Sequence, residues 1–194
     1  MDGAERRRAH KEQTTALYAA IGEFAVKFEH LTFALSNGIE LILSVNGLRL
    51  QSLSFAVVAD QSAESLRSMF NTSVVEVCKP TGRNEDLLKR AMQEIQAAIE
   101  ERNDIIHRTW LVGWADITNP DFARTRSHKM KKTGAGLKDR QREATVADFD
   151  RATEIVVRLA SVVNILALSS VDNTPFDKNL DIDASGRIVQ RSKL

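Results

Sequence analysis

The stretch Glu101-Arg102-Asn103-Asp104-Ile105-Ile106-His107 sets an arginine, an amide and a histidine close together in the chain. Histidine titrates nearest neutrality, so it can act as acid or base at physiological pH. A guanidinium offers a fork of donors that meets phosphate oxygens two at a time. Phosphodiester cleavage needs both: a proton carrier, and a fixed cation facing the negative charge that develops on phosphate. With RNA the 2′-hydroxyl can itself be the nucleophile, and no metal is then required. The chain has one cysteine, four histidines and no metal-type Cys/His spacing, so neither a metal nor a cofactor is expected.

These residues must be positioned by a helix. Leu88, Met92, Ile95, Ile99, Arg102 and Ile106 recur at steps of three and four, which marks an amphipathic helix. It is expected to start near Asn84, as N-cap, and to end between Arg108 and Gly113. Trp110, Leu111, Val112 and Trp114 then cover its end. Arg102 falls on the apolar stripe, where a charge is expensive to bury unless paired. Asn103 and His107 are four apart and share a face. Arg102 and His107 are about 140° apart around the axis, so one straight helix does not stack them. A swung guanidinium, or a second copy of the helix, would close that gap.

A basic run follows. Between Arg124 and Arg142 there are eight Lys or Arg and one Asp. Asn119-Pro120 marks a turn and Thr133-Gly134-Ala135-Gly136 divides the run, which predicts a small β-hairpin or a mobile loop. Arg124, Arg126, Lys129, Lys131 and Lys132 are candidates for phosphate contact. The competing reading of the run is a solvated loop. The net charge of only +1 excludes a wholly basic nucleic-acid binder but not a local basic patch.

The remaining pattern is helical. A first helix is expected from about Glu12 to Val45, with Leu17, Ile21, Phe24, Phe28, Leu31, Leu35, Ile39 and Ile42 inward and Asn46-Gly47 as its stop. Gly22 and Gly38 inside it predict close helix crossings. Glu29 and His30 sit at the stripe edge, as a solvated flank or as groups facing the motif helix. Leu48 to Ala59 is short and apolar. Asp60 is the expected cap of the next helix, with Ala63, Leu66, Phe70, Val74 and Val77 inward and Lys79-Pro80-Thr81-Gly82 as the stop. Thr145 and Asp148 form an acidic capping box for a last helix, whose inner face is Phe149, Ala152, Val156, Leu159, Val163 and Leu166. From Ser169 the chain is polar and reads as an irregular tail. Its spaced acids lack the glycine and glutamate of an EF-hand.

Composition bounds the rest. A chain of 194 residues, 43% hydrophobic and 27% charged, supports one helix-rich domain with a packed core. Cys78 reads as a small core residue in a reducing, cytoplasmic protein. Residues 1 to about 11, with Arg6, Arg7 and Arg8, read as a frayed start without a signal peptide's apolar region. The longest uncharged run, Leu159 to Val171, is short for a bilayer span, so no membrane partner is expected.

Arg102-Asn103-Asp104-Ile105-Ile106-His107 resembles the R-x4-6-H motif of HEPN domains, with the polar residue that commonly follows the arginine. The order of elements from about Thr14 to Leu168 is similar as well. The resemblance implies an all-α bundle of four or five helices, with a hairpin or loop insert before the last helix. The chain would form a single domain over 1–194, with a core of about 12–168 and a tail of 169–194. It implies that Arg102 and His107 are a catalytic pair, Asn103 an assisting residue, and the site a composite at a homodimer interface. The function implied is a metal-independent endoribonuclease, of the kind that serves as a toxin or antiviral effector, with RNA as substrate and any antitoxin or regulator a separate chain. The alternatives are a non-catalytic HEPN-like binding or regulatory subunit, and a helical dimer with no nucleic-acid role.

Overall fold

The computed structural model of the protein describes residues 3–48, 50–114, 121–134 and 136–191. Five helices are α1 (Gly3–Val45), α2 (Gln51–Val58), α3 (Ala63–Cys78), α4 (Arg83–Ile106) and α5 (Val146–Val171). The strands are β1 (Thr109–Trp110), β2 (Arg124–Thr133), β3 (Gly136–Thr145), β4 (Leu180–Ile182) and β5 (Ile188–Gln190). The fold is mostly helical, as a bundle requires. It also carries a three-stranded antiparallel sheet in the order β1-β2-β3 and a two-stranded one, which an all-α description leaves out. The chain folds into two compact units, Met1–Val26 with Glu101–Glu154, and Lys27–Glu100 with Ile155–Leu194.

The second unit is built by helical periodicity. Phe28, Leu31, Leu35, Ile39 and Ile42 are buried along α1, Leu66, Phe70 and Val74 along α3, and Leu159, Val163 and Leu166 along α5. Each such side chain contributes about 1.5–3 kcal/mol when removed from water. Gly38 is required by this packing. A Cβ there would lie 2.6 Å from the Phe70 ring and 3.2 Å from the Ala167 Cβ. Gly22 has nothing within 4 Å of such a Cβ, so no crossing explains it. Helix α5 is long and apolar enough by composition to cross a membrane. It turns Val156, Leu159, Val162, Val163 and Leu166 into the core.

Several element ends differ from expectation. Helix α1 begins at Gly3, so the basic start is helical, with Arg8 Nε donating to Glu12 at 2.8 Å. Ser62, not Asp60, caps α3. Its Oγ accepts the Ser65 N–H at 3.1 Å, while Asp60 takes a left-handed turn at φ 56°. Val77, expected inward, is 39% exposed. Helix α4 starts at Arg83, so Asn84 lies inside the first turn, and its Oδ1 accepts the Asp177 N–H at 3.1 Å. The expected Asn119-Pro120 turn lies outside the described residues.

The polar tail is ordered rather than irregular. A 3₁₀ turn at Phe176–Lys178 leads into the β4–β5 hairpin, with Phe176, Leu180 and Ile188 buried. Glu94 of α4 accepts the Ile188 N–H at 2.8 Å and pairs with Arg90 and Arg158 at 2.8 and 2.7 Å. The spaced acids close turns. Asp183 accepts from the Ser185 hydroxyl and the Arg187 N–H, bonds that hold its carboxyl well below the usual range although burial pushes it up.

Candidate nucleic-acid site at the end of α4

The site lies in the first unit, where α4 ends, β1 begins and the β2–β3 hairpin docks. Helix α4 ends at Ile106, earlier than expected. The Trp110 indole folds back and donates to the Ile105 carbonyl at 2.8 Å, occupying an acceptor of the last turn. The same ring meets Phe149 edge-on at 5.1 Å. Trp110 thus covers the helix end, as expected of the apolar run after the motif. Ile105 is buried, whereas Ile106, assigned to the stripe, is 38% exposed.

Past the cap, the chain enters β1. Thr109 pairs with His128 and Trp110 with Ser127, and Leu111 N–H donates to Arg126 O at 2.8 Å. This pairing fastens the long hairpin beside α4. Strands β2 and β3 pair from Arg124↔Thr145 to Thr133↔Gly136, so the basic run is a ten-residue-per-strand hairpin and not a mobile loop. Thr125, Ser127 and Ala144 are buried at its base. At Thr145 the hairpin passes into α5, where Asp148 accepts from both the Thr145 N–H and hydroxyl, at 3.0 and 2.8 Å. These bonds hold the Asp148 carboxyl below its ordinary range. Asp148 thus supplies the acidic half of the expected capping box, and the threonine hydroxyl donates to the same carboxylate.

Arg102 and Asn103 are brought together. Arg102 Nη1 donates to Asn103 Oδ1 at 3.2 Å. Arg102 is half-buried, while Asn103 and His107 are exposed. His107 stands one residue past the helix, joined to Asn103 through its backbone N–H at 3.4 Å from the Asn103 carbonyl.

Lys129 reaches this group from β2, with Nζ 3.3 Å from the Asn103 carbonyl and 3.4 Å from Asp104 Oδ1. Arg124 and Arg126 are elsewhere engaged, with Asp121 at 3.8 Å and Glu143 at 2.7 Å. Lys132 is exposed. The backbone of Lys131 pairs with Lys138, but its side chain lies outside the described residues. Glu29 and His30 are both exposed, and Glu29 accepts from Thr32 at 3.1 Å. Cys78 is half-buried rather than a core residue.

Sequence reasoning gave no role to the residue at the centre of this end of α4, Asp104. Arg108 grips it with two bonds, Nε to Oδ2 at 2.9 Å and Nη2 to Oδ1 at 3.0 Å. Arg142 of β3 adds a contact at 3.3 Å and bonds Glu101 at 2.6 Å. Arg108 also donates to the Arg140 carbonyl at 2.8 Å, and its side chain is 7% exposed. Burial pushes the Asp104 carboxyl up, but the bonds from Arg108, Arg142 and Lys129 outweigh it, and the group titrates below the usual carboxylate range. The bond from Glu101 raises Arg142 in turn, against burial. One signal was legible, because Asp104 and Arg108 are spaced i, i+4. The hairpin contacts, across 25 and 38 positions of sequence, were not.

Among the described residues, no group of three or more His, Cys, Asp or Glu could hold a metal ion. No protein-family model, curated protein or solved structure matches the chain.

Proposed function

We propose that the protein is a metal-independent endoribonuclease of HEPN type, active as a homodimer in which the ends of two α4 helices share one site. Arg102 stabilises the charge that builds on the phosphate oxygens, Asn103 orients the guanidinium, and His107 carries the proton. The 2′-hydroxyl attacks phosphorus, its proton leaves to a base, and the 5′-oxygen departs with a proton from an acid. Hairpin cations guide the RNA backbone. A toxin or antiviral role in the cytoplasm, held in check by a separate chain, fits that activity. The observation that carries this reading is the bonded Arg102–Asn103 pair at the end of α4, with Lys129 at the Asn103 carbonyl and an exposed His107 whose backbone N–H meets the same carbonyl.

The test is RNA cleavage in EDTA by wild type, His107→Ala and Arg102→Ala. The expected result is loss of at least about a hundredfold in rate for each, the usual contribution of a general acid or base, with the His107→Ala melting temperature unchanged because that side chain is exposed. No cleavage by wild type, or equal cleavage by His107→Ala, sinks the reading.

A second reading draws support from Asp104. Its bonds to Arg108, Arg142 and Lys129 make this end of α4 a clasp for the hairpin. A non-catalytic HEPN-like binding or regulatory subunit would need only that clasp. Under it Arg102→Ala lowers stability and removes no activity.

A further inference from the structure

Helix α2, in the second unit, is packed the wrong way round for a lone chain. It turns Ser54 and Val58 inward, and the Ser54 hydroxyl is buried without a hydrogen-bond partner. Leu53, Phe55 and Val57, with Leu50 just before the helix, are left 41–63% exposed. A helix that is apolar on every side belongs inside a protein, and a buried hydroxyl is nearly always bonded. The single chain meets neither rule at α2, so the helix carries an apolar surface that lacks a cover.

The sequence narrows what the cover is. Leu50, Leu53 and Val57 follow one another at steps of three and four and form one stripe. From Leu50 to Ala59 there is no charged residue. Eight residues of helix are about 12 Å long, too short to cross a bilayer. A helix that lies on a lipid surface carries Lys or Arg along its polar side, and α2 has none. An uncharged apolar stripe is its own complement across a two-fold axis, because a copy brings apolar surface and no like charge. The two ends agree with that pairing. Leu50 gives the start of α2 no side-chain bond, so the N–H groups there keep their partial positive charge. Asp60, which is exposed, follows directly on the last-turn cap Ala59. Antiparallel pairing sets the acid of one copy beside the open start of the other.

We infer that α2 is an interface between two copies of this chain, in which the Leu50–Leu53–Val57 stripe of one lies antiparallel on the same stripe of the other and each Asp60 faces the start of the opposite α2. Three side chains cover only part of the roughly 800 Å² per partner of a stable interface, so the association is reversible and in the micromolar range. The inference does not rest on the ribonuclease reading. It is tested by association in the absence of RNA, so either can fail while the other stands.

Sedimentation equilibrium of the full chain, 21.6 kDa as a monomer, is expected to show a monomer–dimer equilibrium. Leu53→Gln should weaken the dimer at least about tenfold, since the lost contact counts once in each copy. Its melting temperature in dilute solution should match wild type, because Leu53 is already half exposed there. Asp60→Lys should weaken the dimer by about threefold or more, by setting a cation against the helix start. A mass that stays at 21.6 kDa at every concentration overturns the inference. So does a dimer that Leu53→Gln leaves at wild-type strength, because the copies then meet elsewhere. A dimer weakened by Leu53→Gln and unchanged by Asp60→Lys overturns the antiparallel pairing. A chain that is monomeric in solution and co-sediments with phosphatidylcholine vesicles, unless Leu53 is replaced, overturns the inference in favour of a lipid surface.

Discussion

Asp104 and His107 are neighbours in sequence and opposite in role. Asp104 is held by three cations, whereas His107 stands exposed past the helix end. Replacing Asp104 with Asn removes the counter-charge of Arg108, whose side chain is 7% exposed and cannot easily regain water. Because Asp104 itself is 30% exposed, the cost falls below that of a fully buried pair, at about 2 kcal/mol in chemical unfolding. Acid should do the same. The native Asp104 titrates below the ordinary value of 3.8, so the carboxylate's contribution is complete above about pH 4 and disappears as pH falls through the lower native value. Protection factors of the β2 and β3 amides, which divide out the intrinsic pH dependence of exchange, should therefore stay constant from pH 6 to about pH 4 and fall below it. Protection factors that fall already between pH 6 and 5 would show that a different group holds the hairpin.

At the scale of elements, the helices were readable wherever burial follows a period of three to four, as in Phe28, Leu31, Leu35, Ile39 and Ile42. Their ends were less so. Trp110 was expected to cover the end of α4, but not from a strand, from which its indole N–H closes the helix. Only the position of β2 in space makes Thr109 and Trp110 a strand at all. The tail misled for a related reason. Its acids suggest solvation, but Glu94 and Arg158 from two distant helices fasten the β5 backbone. Gly38 was legible as a crossing, and its test belongs at this scale. Gly38→Ala would gain about 1 kcal/mol of helix propensity, but the added methyl meets Phe70. Overpacking of that kind costs about 1–3 kcal/mol, so net destabilisation of about 1 kcal/mol is expected in denaturant unfolding. Gly22→Ala, in open space, should stabilise by up to about 1 kcal/mol. A stabilised Gly38→Ala would mean that the crossing is looser than 2.6 Å to Phe70 implies.

For the molecule as a whole, the balance of charge matters more than its sum. A net charge of +1 hides eight Lys or Arg between Arg124 and Arg142. Part of that charge is neutralised by Glu101, Asp104 and Glu143. The cross-strand partners Lys129 and Arg140 set like charges opposite one another, which weakens a hairpin unless an anion lies across both, and Asp104 meets Lys129. A phosphate backbone would supply that anion, and the same backbone would bring a 2′-hydroxyl to Arg102 and His107. The most direct measurement uses two oligonucleotides of one sequence, one RNA and one fully 2′-deoxy, incubated with the wild-type protein in EDTA. The account predicts that the RNA is cut, leaving a 2′,3′-cyclic phosphate, and that the deoxy strand stays whole. Cleavage of both strands, or of neither, would contradict it.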